Sequence, residues 1–338
     1  MSKVGLGLLG FGAIAQKHLA MMRASPDVAI AGVYDPFPAP REAAARAGLR
    51  AFASIDTFFA APGLAGVIVA TPNQLHADNA IACIERGLPV LVEKPVADTA
   101  ANGERILAAQ RAVGTPVLVG HHRRHNPIIQ KARAIVRSGK LGQVTAVAGL
   151  TLFLKPPDYF EVPWRREPGG GPVLINLIHD IDCLRFIVGE IAGVEAMTSN
   201  ARRGHAVEDT AAIVARFENG ALATMLVSDI AAAPWSWELT SGENPVYPQQ
   251  DENCYLIAGT EGALALPRLQ LWSYKGKAGW HDAIAREPAG VAPAEPFERQ
   301  LRHFIDVIQG RAEPLTTVED GLRTLEVTTA LTRLATST

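Results

Sequence analysis

The hydrophobic rhythm of the chain changes near its middle. Up to about residue 120, short runs that are apolar almost throughout alternate with longer mixed stretches. The runs are Val4–Leu9, Val28–Tyr34, Gly66–Ala70, Pro89–Val92 and Pro116–Val119, and they read as strands buried on both faces. The segment ending near Ala24, Asn73–Arg86 and Ala100–Val113 read as the helices between them. Strands and helices alternating at this spacing predict right-handed crossovers and a parallel sheet.

An amphipathic helix over Pro127–Ser138 stops at Gly139, a suitable C-cap. From Val144 the period falls to two. Val144–Phe153, Val194–Thr198, Ala211–Phe217, Ala221–Ser228, Cys254–Gly259, Gly262–Leu266 and Leu269–Tyr274 are alternating or β-rich, and Asn219-Gly220 is a hairpin turn. Few helices separate these runs, so a mostly antiparallel, open sheet is expected. The exception follows Gly169-Gly170-Gly171-Pro172: Val173–Phe186 is a helix apolar nearly all round, hence buried. Trp235, Trp237, Tyr247 and residues 243–252 read as a long loop over a pocket or at a subunit contact. Pro296–Gln309 and Thr317–Leu334 are two closing helices around a break at Arg311–Pro314.

At 338 residues, 48% of them hydrophobic and with a mean hydropathy of +0.11, the chain has material for two domains and no compositional sign of disorder. A net charge of −2 gives no electrostatic reason to expect nucleic acid or an anionic membrane as partner. No apolar run approaches the roughly 18 residues of a membrane span, and the N-terminus opens straight into a strand pattern. Cys83, Cys183 and Cys254 lie far apart, which suits a reducing compartment, so a soluble, cytoplasmic protein is expected. His121, His122 and His125 could be imagined around zinc, but Arg123 and Arg124 would repel the ion, so no metal site is assigned.

The first run leads into Gly10-Phe11-Gly12-Ala13-Ile14-Ala15, a G-x-G-x-x-A dinucleotide fingerprint. Gly10 allows the tight turn, Gly12 lets a pyrophosphate approach the backbone, and Ala15 lets helix and strand pack closely. The second run ends at Asp35, about 20 residues further on, where an acid accepts ribose hydroxyls and repels a 2′-phosphate. NAD is therefore favoured over NADP, although Arg41 stands close enough in sequence to meet a phosphate. The fourth strand delivers Glu93-Lys94-Pro95 to the sheet edge where ligands collect. Taken alone, that pair also reads as a solvated ion pair closing a strand.

The G-F-G-A-I-A turn, A-T-P-N-Q-L-H-A after the third strand, E-K-P after the fourth and G-H-H-R-R-H-N-P from Gly120 resemble, in that order, the Gfo/Idh/MocA oxidoreductases. The resemblance implies a Rossmann domain over residues 1–122. It also implies an α+β substrate-binding and oligomerisation domain over 123–338, whose terminal helices return toward the first domain. It implies that Phe11, Ala13, Ile14, Thr71, Pro72, Asn73 and His76 line the cofactor with the turn glycines, and that Glu93 approaches the nicotinamide ribose. Lys94 would be the catalytic lysine, with Lys94–Pro95 a candidate cis bond. Without the resemblance, His76 reads as a helix-surface histidine.

Asn176, His179 and Asp182 follow one another at spacings of three along the buried helix, placing polar groups on one face. His179 matches the family's catalytic histidine, with an affinity suited to taking a hydroxyl proton near neutrality. Its bland alternative is a core histidine bonded to a carbonyl. The family usually carries aspartate where this chain has Asn176, so either His179 is less basic than in its relatives or Asp180 or Asp182 compensates. Trp164 resembles the element near the nicotinamide, and Arg123 and Arg165 are candidate substrate contacts. The implied activity is hydride transfer between NAD (or NADP) and a secondary alcohol or ketone of a sugar, polyol or sugar acid. The second sheet would build a homodimer or homotetramer. Two rivals stand beside this reading: a non-catalytic nucleotide-binding sensor or partner subunit, and a reductase of dihydrodiols or imines.

Overall fold

The computed structural model describes residues 3–335. The chain divides into two compact units, Met1–His125 with Glu295–Leu325, and Asn126–Ala294 with Glu326–Thr338.

Among the described residues, the first unit holds a six-stranded parallel sheet built from β1 (Val4–Leu9), β2 (Val28–Tyr34), β3 (Ala51–Phe52), β4 (Gly66–Val69), β5 (Val90–Glu93) and β6 (Val117–Gly120). Their order is β3-β2-β1-β4-β5-β6. The chain reverses between β1 and β4, and such a switch point opens a crevice at the strands' carboxyl ends. Strand alternation explains why these runs are apolar throughout. Val67, Val69, Val90, Val92, Val117 and Val119 face one core with Ala80, Ile84 and Ile106. Ile68, Leu91 and Leu118 face the other with Ala15, Leu19, Met22 and Phe304. Both faces are covered, so neither can be polar. The two-residue strand β3 and the helices Pro38–Arg46 and Ile55–Phe59 were not legible in the sequence, being too short to show a period. Where a helix over Asn73–Arg86 is expected, a 3₁₀ turn (Asn73–Leu75) leads into a helix over His76–Ile84.

The second unit carries an eight-stranded sheet among its described residues: β7 (Val144–Leu152), β8 (Ile191–Ser199), β9 (Thr210–Phe217), β10 (Leu222–Ser228), β11 (Tyr255–Gly259), β12 (Gly262–Leu266), β13 (Gln270–Tyr274) and β14 (Ile284–Pro288). The order is β14-β13-β12-β11-β7-β10-β9-β8, antiparallel everywhere except β7 beside β10. Asn219-Gly220 turns β9 into β10, with Gly220 at φ +87°. Ile213, Ala215, Phe217, Met225 and Val227 point into the core, while their neighbours Val214 and Leu226 face out.

Two expectations are corrected. The helix at Val173 opens with a π turn over Val173–Leu177 before becoming α-helical over Ile178–Val188. Glu208 Oε1 accepts the Val173 N–H at 3.0 Å, holding the start of that turn. Trp237 lies in a short helix (Trp237–Thr240), fully buried, stacked on Tyr255 at 5.7 Å and donating from Nε1 to Glu243 at 3.0 Å. It is a core anchor rather than part of an open loop.

Candidate active site

In the first unit, β1 ends at Gly10, whose φ is +89° and whose Cβ, if present, would lie 2.7 Å from the Ala70 carbonyl oxygen. Glycine is required there by the protein itself. Gly12 is different. As N-cap of the helix Ala13–Ala24 it has φ −78°, and a Cβ would meet no heavy atom within 4 Å. No side chain caps this helix and no acid stands in its first turn, so its leading N–H groups face outward without a side-chain acceptor. An exposed backbone with uncapped amides fits a phosphate pair. Phe11 is buried, Ala13 exposed and Ile14 half-buried around that turn.

Asp35, at the end of β2, is buried and accepts the Phe11 N–H on Oδ2 and the Phe37 N–H on Oδ1, both at 3.0 Å. A carboxylate retains lone pairs beyond those two bonds, so ribose hydroxyls remain acceptable partners. Arg41 donates from Nη1 to the carbonyls of Asp35 (3.0 Å) and Pro36 (2.6 Å).

After β4, Thr71 is buried and accepts from Asn79 Nδ2 at 3.1 Å, Pro72 is exposed and Asn73 half-buried. His76 is not a surface residue. Its ring lies inside, with Nδ1 2.8 Å from the Pro95 carbonyl and Nε2 2.9 Å from the Thr71 carbonyl, tying together the loops after β4 and β5. Desolvation by burial pulls its pKa below 6.5, against the upward influence of those two carbonyls.

Glu93 is buried at the end of β5 and meets His18 Nε2 at 2.7 Å, while its Oε2 accepts the Lys94 N–H at 3.1 Å. Burial works against its charge, yet His18, His122 and Lys94 hold its carboxyl below the usual range. Lys94 is half-buried, its bond to Pro95 is cis, and Arg123 is buried in the turn His122–His125. His18 escaped the sequence reading. The available signal was its place on the stripe Ala15, His18, Leu19, Met22, which the helix buries.

In the second unit, Asn176 sits in the π turn and His179 in the first turn of the α-helix, both half-buried. Asn176 Oδ1 accepts from Lys155 Nζ at 2.8 Å. Lys155 also pairs with Asp229 at 3.2 Å, and Arg203 joins Asp229 from the other side. Burial pushes the Lys155 pKa down while Asp229 pushes it back up. Arg165 donates to the Tyr159 carbonyl at 2.7 Å and lies over the Tyr159 ring at 4.0 Å; Trp164 beside it is 51% exposed. Asp180 is committed elsewhere, accepting from Thr151 Oγ1 at 3.0 Å and from the Tyr255 hydroxyl, and Asp182 is buried. Lys155 was the second residue missed. Its signal was a lysine closing a β run ahead of Pro156-Pro157. Among the described residues, no group of three histidine, cysteine or acidic side chains could hold a metal ion, and no helix is long and apolar enough to cross a membrane.

Residues 4–121 match the model of an oxidoreductase family with an NAD-binding Rossmann fold, and residues 129–265 match that of the GFO/IDH/MocA C-terminal domain. The 1,5-anhydro-D-fructose reductase of Ensifer adhaerens is 27% identical over 83% of this chain and 80% of its own. The inositol 2-dehydrogenase of Rhizobium meliloti is 26% identical over 98% and 96%. The WlbA dehydrogenase of Bordetella pertussis, solved with NADH and UDP-GlcNAcA, superposes with a TM-score of 0.78 at 24% identity, covering 99% of this chain and 97% of that one. The phosphate-ready turn, the acid after β2 and the matches at both ends converge: the chain belongs to the Gfo/Idh/MocA family of NAD-binding oxidoreductases.

Proposed function

We propose that this protein is an NAD-dependent dehydrogenase or reductase acting on a secondary alcohol or ketone of a sugar, polyol or sugar acid. The observation that carries the reading is the open backbone at Gly12, which nothing in the protein requires to be glycine, beside the acceptor-rich Asp35. Gly10, Phe11, Gly12, Ala13 and Ile14 would hold the pyrophosphate, and Asp35 the adenosine ribose. Thr71, Pro72, Asn73 and Trp164 would complete the dinucleotide site. The activities named for the anhydrofructose reductase and the inositol dehydrogenase support a polyhydroxylated substrate.

The bound nicotinamide would supply the hydride acceptor or donor. Lys94 would place its ammonium against the substrate oxygen and stabilise negative charge developing there. Glu93, ionised and fixed by His18, sets the Lys94 backbone from behind. His179 would take the hydroxyl proton on its imidazole nitrogen, Asn176 would orient the substrate, and Arg165 would meet its polar groups. Removing the charge-stabilising Lys94 or the proton-accepting His179 should lower turnover by about 10² to 10⁴-fold. NAD reduction across a panel of sugars, polyols and sugar acids tests this with Lys94→Ala and His179→Ala. Near-full turnover in both variants would remove the assignment.

The outer face of the second sheet supports subunit pairing, as a dimer or tetramer. Met197, Val214, Leu222, Leu226 and Leu256 stand exposed on β8, β9, β10 and β11 of one sheet, and exposed apolar side chains grouped in this way mark interaction surfaces. The three cysteines are buried thiols that form no disulfide with one another, which supports a cytoplasmic location.

A further inference from the structure

The Lys155–Asn176 contact fixes something that the identity of residue 176 alone leaves open. An ammonium is a donor only, so the atom of Asn176 facing Lys155 at 2.8 Å must be the amide oxygen. The two ends of a planar amide point apart, so Nδ2 is turned away from Lys155. Lys155 is 8% exposed and Asp229 beneath it 1%, whereas Asn176 is half-buried, so the end turned away from that pair is directed to the accessible side.

An aspartate at this place would offer acceptors and a negative charge. This chain offers a donor. The surroundings reinforce the change. Lys155 lies 4.7 Å from the Tyr159 ring centre and Arg165 lies over the same ring at 4.0 Å, so two cations flank one aromatic side chain. Asp229, the carboxylate bonded to Lys155, is already shared with Arg203. Asp209 accepts the backbone N–H groups of Arg202 and Arg203, and Glu208 accepts the Val173 N–H. Asp229, Asp209 and Glu208 thus each hold at least one protein donor, and Glu238 is a further acid whose charge reaches Lys155.

We propose that Lys155 is a positioning residue that holds Asn176 with its amide nitrogen toward the substrate, and that Asn176 and Arg165 together select a substrate bearing a carboxylate, a sugar acid over a neutral polyol. The inference rests on the reading of the Val173–Val188 region as the substrate-binding helix. It goes beyond that reading in naming the group recognised. A carboxylate accepts on every lone pair and matches a set of donors; a hydroxyl matches it on one side only.

The test is calorimetric binding to the NAD-loaded protein, using five- and six-carbon aldonates and uronates against the alditols and aldoses of the same carbon skeletons. Acids should bind about tenfold or more tightly than their neutral counterparts, the worth of a charge-assisted hydrogen bond. Lys155→Met should bring the two classes to within about threefold, chiefly by weakening the acids, because the amide is then free to turn over. Asn176→Asp, which keeps a partner in Lys155 and should fold, should reverse the preference. Thermal unfolding of each variant accompanies the measurement. Equal binding of the two classes by the wild type, or binding of neither, overturns the proposal. So does a folded Lys155→Met protein with the wild-type ratio, since a purely structural lysine would weaken both classes alike or neither. Turnover confined to neutral sugars would remove this inference and leave the oxidoreductase standing. Acid-selective binding without turnover of any substrate would do the reverse.

Discussion

Gly10 and Gly12 look equivalent in the fingerprint, but the structure assigns them different jobs, and alanine should separate them. At Gly10, φ +89° is a left-handed conformation that costs an L-residue about 1–2 kcal/mol. The added Cβ would also stand 2.7 Å from the Ala70 carbonyl oxygen and 2.9 Å from its carbon, so β1 or the loop after β4 must give way. Overpacking of that kind costs about 1–3 kcal/mol, giving a total of roughly 2–5 kcal/mol. At Gly12 the backbone is extended and the space is empty. Alanine there gains about 0.4–1 kcal/mol by restricting the unfolded chain and loses about 0.5–1.5 kcal/mol as a poorer N-cap, a net change inside about 1 kcal/mol. The methyl group would instead stand where a phosphate must approach the helix amides, and NAD affinity should fall by about 10–100-fold. Urea unfolding and NAD titration of the two variants read these effects apart. Gly10→Ala should lose stability and Gly12→Ala should keep it while losing NAD. A Gly12→Ala protein that binds NAD as the wild type does would refute the assignment of that open backbone to a phosphate.

Acid sensitivity should trace in part to His125, which is buried and whose pKa is pushed down from 6.5 to about 3, first by desolvation and then by His303, His122, Arg299 and Arg124. The folded state prefers the neutral ring, so this contribution is complete above pH 6.5 and is lost as the pH falls toward 3. Between pH 6.5 and 4 the loss is roughly 3 kcal/mol, and His125→Phe should flatten the urea-midpoint slope over that window; an unchanged slope would contradict it. Asp35→Asn should cut the preference for NAD over NADP by about tenfold or more, measured as a ratio of dissociation constants, because the charge that repels a 2′-phosphate is gone. If the proposed pairing through the second sheet holds, the wild type should sediment as a dimer or tetramer and Val214→Glu with Leu256→Glu should shift it toward monomer; a monomeric wild type or an unaltered profile would contradict that pairing.

The parallel sheet was legible because its strands are buried on both faces. Val67–Val69, Val90–Val92 and Val117–Val119 must be apolar at every position, and runs of that kind stand out against amphipathic helices. The antiparallel sheet was legible from its period of two and from Asn219-Gly220. Strand β14 (Ile284–Pro288) escaped because, mostly exposed at the sheet edge, it has no buried face to impose a pattern. The fingerprint glycines, Asp35 and Glu93-Lys94-Pro95 were readable because backbone approach and strand-end chemistry are local properties of the chain.

What remained hidden was pairing across sequence distance. His18 and Glu93 are 75 positions apart, as are Tyr255 and Asp180, and Lys155 lies 21 positions before Asn176. A periodic pattern states which residues turn inward, not which of them meet. The sequence by itself determined the order of elements, the phosphate-ready turn and the residue types at the strand ends, since these follow from steric and hydrophobic rules acting over a few residues. Only the tertiary structure decided that His76 is a strut between two loops, that Trp237 is core, and that Asn176 presents a donor. Each of those depends on a partner supplied by a distant segment, and burial makes the choice of partner energetically decisive.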